Sequence, residues 1–147
     1  MPSIIPSYVY SLFAALIVGT IIVCSCSLLT LNIKNEAEQQ QLTNLSKYVA
    51  TESLNLLSYS TEDNHNTTHF LNLPSQIGNQ IYWIQISNDS FSAWVESGFG
   101  LTVTSSRAHV SIPINILASG TFISSYGRAF LQCTSENQTT TLTLISG

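Results

Sequence analysis

The chain has 147 residues, 44% apolar and only 8% charged, with a net charge of −4; an ordinary soluble domain carries roughly 25% charge. Four basic side chains offer no surface for neutralising phosphates, which argues against a nucleic-acid partner. Disorder is argued against by the same composition, because a disordered chain combines low hydrophobicity with high charge and few aromatics.

No Asp, Glu, Lys or Arg precedes Lys34. Within that uncharged stretch, Tyr8 to Leu31 is dominated by Leu, Ile, Val, Ala, Phe and Tyr. As a helix it spans about 36 Å, enough to cross a hydrocarbon core roughly 30 Å thick. A soluble core helix of this length would ordinarily keep a charged face. A secretory signal would show a basic n-region and an apolar core of about 7 to 15 residues. Met1-Pro2-Ser3-Ile4-Ile5-Pro6 has no basic residue, and the run is longer than that. Val23-Cys24-Ser25-Cys26 only loosely matches a lipidation site ahead of Cys26. The expectation is an uncleaved membrane anchor.

Lys34, Glu36 and Glu38 give the positive-inside rule little to count. Asn-x-Ser/Thr sequons at Asn44, Asn66, Asn88 and Asn137 are candidate N-glycosylation sites and favour an extracellular C-terminal domain.

The helical period continues past the apolar run. Residues 32–41 contain neither Gly nor Pro, and Leu42, Leu45, Val49 and Leu56 then recur at helical spacing beside Ala50, Leu54 and Leu57. The pattern predicts one helix from Ser7 to Tyr59 within an N-terminal segment 1–59. Its apolar half, 7–31, suits a membrane or a filament core, and its amphipathic half, 32–59, suits packing on a domain. The alternative is two helices broken near Asn32.

Residues 60–72 read as a polar loop, and Leu73-Pro74 opens a domain over 73–147 whose period is two. Tyr82, Ile84 and Ile86 share one face and Trp83 and Gln85 the other; Ser87-Asn88-Asp89-Ser90 is turn chemistry; Phe91, Ala93 and Val95 alternate with Ser92, Trp94 and Glu96, which makes a hairpin. Further strands are expected at 101–104, 108–112, 114–117, 121–124, 128–133 and 140–145, with a break at Ser119-Gly120. The fold class is therefore α+β: a long N-terminal transmembrane and amphipathic helix followed by a small antiparallel β-sandwich-like domain. Roughly 80 residues make a marginal core on their own, so the amphipathic half of the helix is expected to complete it.

Chemistry is sparsely signalled. His65 and His69, four apart beside Asp63, would suit a metal on a helix, but their neighbours are loop formers and no Glu follows His65. No nucleophile elbow, phosphate loop or dinucleotide fingerprint is present. Glu62, Asp63, Asp89, Glu96 and Glu136 read as solvated carboxylates. No catalytic residue, cofactor or metal is expected. Cys24 and Cys26 lie in the apolar run and Cys133 in a strand, so no disulfide forms within the β-domain. Arg107 and Arg128 are expected to pair with Glu96 or Glu136.

The layout of an apolar helix continuing into an amphipathic half, followed by a compact β-domain, resembles the type IV pilin superfamily, and its archaeal members in particular. The stretch Leu73-Pro74-Ser75-Gln76-Ile77-Gly78-Asn79-Gln80-Ile81-Tyr82-Trp83-Ile84-Gln85-Ile86 is similar to what such membrane-anchored proteins carry after the helix. Two departures stand beside it: no basic leader precedes the helix, and no acidic residue lies near its start. The resemblance implies a structural subunit held in the cytoplasmic membrane before assembly and polymerised afterwards into an extracellular, helical homopolymer. Its β-domain would face outward, with Asn-linked glycans, for surface contact and adhesion. On this reading the helix–helix assembly surface comprises Leu12, Phe13, Leu16, Ile17, Gly19, Ile21, Ile22 and Leu28, with Ala14, Ala15 and Ser25 allowing close approach. The alternative is a membrane-anchored accessory or surface-layer-binding module that does not polymerise and meets its partner through a sheet edge or through Trp94 and Phe99.

Overall fold

The computed structural model describes residues 4–63, 66–89, 91–104, 109–112, 116–136 and 139–147, with helix side chains from residue 8 to residue 59. Helix α1 (Ile4–Asp63) is followed by seven strands: β1 (Thr67–Leu71), β2 (Tyr82–Asn88), β3 (Ala93–Phe99), β4 (His109–Ile112), β5 (Leu117–Ile123), β6 (Ala129–Glu136) and β7 (Thr139–Ser146). The expected α+β class holds. A single helix replaces the two-helix alternative, and it runs a few residues beyond the expected bounds at each end. The chain divides into two compact units, the first ending at Ala37 and the second comprising Glu38–Gly147.

In the second unit, hereafter the head, the helix contributes Leu42, Val49, Ala50, Leu56 and Leu57 to a core shared with Ile84, Ile86, Val95, Leu131 and Leu142. Positions 42, 49 and 56 are two turns apart and 50 and 57 adjoin them, so one stripe of the helix faces inward. Each large side chain removed from water contributes about 1.5 to 3 kcal/mol.

The strands form one seven-stranded sheet in the order β1-β6-β7-β5-β2-β3-β4. It is a single mixed sheet where a small antiparallel, sandwich-like domain is expected from the sequence. The helix covers the apolar face against which a second sheet would have packed. Five of the six neighbouring pairs are antiparallel; β5 and β7 are parallel, with Leu117 opposite Thr141 and Gly120 opposite Leu144. This follows from β7 folding back on β6 and inserting between it and β5.

The expected hairpin forms in register, Tyr82 opposite Phe99 and Asn88 opposite Ala93. At its tip the Asp89 carboxylate accepts N–H bonds from Phe91 and Ser92, both at 2.8 Å. Those two donors, Phe91 first, hold its carboxyl below the usual range. Other expectations are corrected. The polar loop at 60–72 contains the end of α1 and the whole of β1, which pairs along β6 from Thr67 opposite Cys133 to Leu71 opposite Ala129. It reads as loop because it is an edge strand with only Leu71 buried. Residues 101–104 are not a strand; the chain leaves β3 at Gly100, whose φ is +112°. Ser119-Gly120 is no break but the middle of β5, where Gly120 at φ +123° admits the close approach of the Leu144 backbone. The strand expected at 114–117 appears only as the start of β5 at Leu117, since 113–115 lie outside the described residues.

Candidate functional site

The largest unpartnered feature is the apolar half of α1. It contains an 18-residue window of mean hydropathy 2.5, none of it buried. Leu12, Phe13, Leu16, Ile17, Ile21, Ile22 and Leu28 are all between 48% and 63% exposed, and nothing lies within 4 Å of the Cβ position at Gly19. These residues occupy every side of the helix, so no single face is singled out and the described residues bring none of them against another element. Burying such a surface in lipid or against other helices is the one way it leaves water.

Four of its hydroxyls are already satisfied. The hydroxyls of Thr20, Ser25, Ser27 and Thr30 donate to the carbonyls of Leu16, Ile21, Val23 and Cys26, one turn back, at 2.8 to 2.9 Å. A hydroxyl left unbonded in hydrocarbon would cost a few kcal/mol; the back-bonded rotamer removes that cost. Cys24 and Cys26 are exposed thiols and Cys133 is a buried one in the head core.

The sequons fall in different settings. Asn44 is exposed on α1 and accepts from Gln40 Nε2 at 3.2 Å. Its sequon partner Ser46 is buried, its hydroxyl bonded to Leu42 O at 3.1 Å and paired with the Ser97 hydroxyl at 2.7 Å. Asn66 is exposed just before β1 and accepts from Gln132 Nε2 at 3.2 Å. Asn88 is half-buried, its Oδ1 accepting from the Ala118 amide at 3.1 Å, which ties the end of β2 to β5. Asn137 lies outside the described residues, as do Arg107 and His65.

His69 is in β1, not on a helix, half-exposed and 3.8 Å from Glu52. Among the described residues no three His, Cys, Asp or Glu side chains converge on a metal position. Arg128 does not meet Glu96 or Glu136. Its guanidinium lies 5.7 Å from the centroid of the Phe70 ring, while Glu96 accepts the Trp94 indole N–H at 2.9 Å. Glu136 is at the far end of β6 from Arg128.

Three features of the head carry no sequence signal of their own. Glu38, the third charged residue after the apolar run, is only 6% exposed and accepts from Gln80 Nε2 at 2.9 Å. It fills space beside Gly78, where φ is +59°. Trp83, expected on the face opposite Tyr82, is buried as completely as Tyr82, and its indole packs over Gly98 on β3; its Nε1 has no hydrogen-bond partner among the described residues. Tyr82 donates from its hydroxyl to Pro74 O at 2.5 Å, and burial pushes its pKa up to about 12. The Leu-Pro turn and the first core strand are thereby stitched together.

Comparison with known protein families, with curated proteins and with solved structures gives no match in any of the three.

Proposed function

We propose that the chain is the structural subunit of an extracellular filament of the type IV pilus kind. It would be stored in the cytoplasmic membrane through residues 7–31 and packed through the same surface against copies of itself on assembly. The observation that carries the reading is the apolar helical surface exposed on every side, borne by the helix that also supplies Leu42, Val49 and Leu56 to the head. A helix of this kind is at home in lipid and equally in a bundle of its own copies, because the hydroxyls of Thr20, Ser25, Ser27 and Thr30 are bonded within the helix itself. Repeated head-to-tail packing without closure yields an open fibre. Each large side chain buried in such a core contributes about 1.5 to 3 kcal/mol, while the polar, low-charge head, with glycans at exposed sequons, is turned outward for contact and adhesion.

Leu16→Glu tests this in cells that make the protein. Leu16 is 59% exposed and belongs to the first unit, so the head of the variant should melt as the parent does. The expected outcome is loss of fibres with a regular repeat in negative-stain images, with subunit still present. Fibres that persist in Leu16→Glu, or a parent protein found only as a membrane monomer, refute polymerisation; the monomer result would leave an anchored module that meets its partner through the head.

A further inference from the structure

Asn44, Asn66 and Asn88 share the Asn-x-Ser/Thr pattern, and the fold leaves them in unequal positions to use it. The hydroxyl residue at the third place is as necessary as the asparagine, so an enzyme that modifies the amide must reach both side chains from one side. A helix turns by about 100° per residue and sends positions i and i+2 to different faces, whereas a strand returns them to the same face. On α1 the consequence is visible. Asn44 is exposed, but Ser46 is buried, its hydroxyl bonded to Leu42 O and paired with the Ser97 hydroxyl. Exposure of the asparagine alone does not make that sequon usable. Asn88 is half-buried at the end of β2, and both atoms of its amide are engaged: Oδ1 accepts from the Ala118 amide at 3.1 Å and Nδ2 donates to Asp89 O at 3.2 Å.

Asn66 differs on each count. It is exposed immediately before β1. Its Oδ1 accepts from Gln132 Nε2 at 3.2 Å and from Thr134 Oγ1 at 3.5 Å, while Nδ2, the atom a sugar would join, has no partner among the described residues. Gln132 lies opposite Thr68 in the β1–β6 ladder, so Asn66 and Thr68 share one face of the sheet, and Thr68 is exposed as well. β1 stands at the end of the sheet order, so among the described residues no strand pairs along its outer edge. We propose that Asn66 is the sequon the folded head offers for N-glycosylation, with a lipid-linked oligosaccharide as sugar donor, and that Asn44 and Asn88 are closed once the head has folded. In the transfer Nδ2 bonds to the anomeric carbon of the sugar. The bond from that carbon to the carrier's pyrophosphate oxygen breaks with its electron pair on the oxygen, and one Nδ2 proton passes to a base of the transferase. In cells this rests on the outward-facing head of the proposed function; it does not depend on polymerisation.

The test uses the full folded chain in detergent, carrying Asn137→Gln, a position outside the described residues, so that this sequon does not compete. An oligosaccharyltransferase and its lipid-linked oligosaccharide are added, and peptide mass spectrometry reads the occupancy of each sequon. Short peptides spanning the sequons give the rate of each without the fold. Relative to its own peptide, Asn66 is expected to be modified about ten-fold or more faster than Asn44 and Asn88, which are reached only by local opening of the head. Thr68→Val, which keeps Asn66 and a strand-forming side chain, should abolish the transfer, and Thr68→Ser should restore it. Equal modification of the sequons in the folded chain, no transfer to Asn66, or transfer undiminished in Thr68→Val overturns the proposal. In cells that make the protein and glycosylate their surface proteins, the peptide containing Asn66 is expected to carry the sugar. A bare Asn66 there, with transfer intact on the purified chain, refutes the outward head and not the accessibility of Asn66.

Discussion

Replacing Gly120 by Ala probes the least expected feature of the head, the parallel pairing of β5 with β7. A Cβ at Gly120 would stand 2.7 Å from the Leu144 amide nitrogen and closer still to the Leu144 carbonyl oxygen, at φ +123°. Two costs combine. Holding an L-residue in that backbone region costs of order 1 to 3 kcal/mol. Because the obstruction is backbone, β7 must also move away from β5, and each ladder bond left unsatisfied inside the sheet costs about 1 to 3 kcal/mol. Alanine restricts the unfolded chain and returns about 0.4 to 1 kcal/mol. For one lost ladder bond the net loss is about 1 to 5 kcal/mol, set against the roughly 5 to 15 kcal/mol that holds a domain together. Gly100 is the matched control: φ is +112° but nothing lies within 4 Å of its Cβ position, so Gly100→Ala meets only the backbone strain. Urea unfolding of the full chain in detergent, followed by the fluorescence of buried Trp83, gives both values. If Gly120→Ala costs no more than Gly100→Ala, β7 does not approach β5 in this register and the sheet order is wrong.

Leu56→Ala, in the head core at 4% exposure, should lower unfolding free energy by about 2 to 5 kcal/mol, whereas Leu16→Ala should leave head stability within about 0.5 kcal/mol; equal effects in the same urea titration would contradict the division of α1. Tyr82, with its pKa raised from 10.0 to about 12 by burial, keeps its proton longer when folded. Its stabilisation is complete below about pH 10 and is lost between about pH 10 and 12 at up to about 1.4 kcal/mol per pH unit; Tyr82→Phe should flatten that alkaline limb of the melting curve. Asp89 has the opposite sign: its lowered pKa gives a contribution present above about pH 4 and lost as pH falls through the folded value. Asp89→Ala should lower the melting temperature at neutral pH and reduce its acid dependence, and an unchanged acid limb would contradict the hairpin-tip bonds.

The helix, its division into apolar and amphipathic parts, and the hairpin 82–99 were legible because each is encoded locally. An absence of charge over thirty-three residues, a seven-residue recurrence of Leu42, Val49 and Leu56, and an alternation broken by Asn88-Asp89 all report on backbone period without reference to a distant partner. Thr67-Thr68-His69-Phe70-Leu71 carries no such pattern, since an edge strand with one buried residue needs no alternation; only the β6 ladder makes it a strand. Gly120 likewise looks like punctuation until the Leu144 backbone is brought beside it. Residues close to one another in the chain thus settled helix, hairpin and apolar segment, where the pattern follows from local period. Pairings between residues tens of positions apart, among them Glu38 with Gln80 and β5 with β7, were decided by the tertiary structure, because the free energy that selects a register is realised only when both partners have left water together.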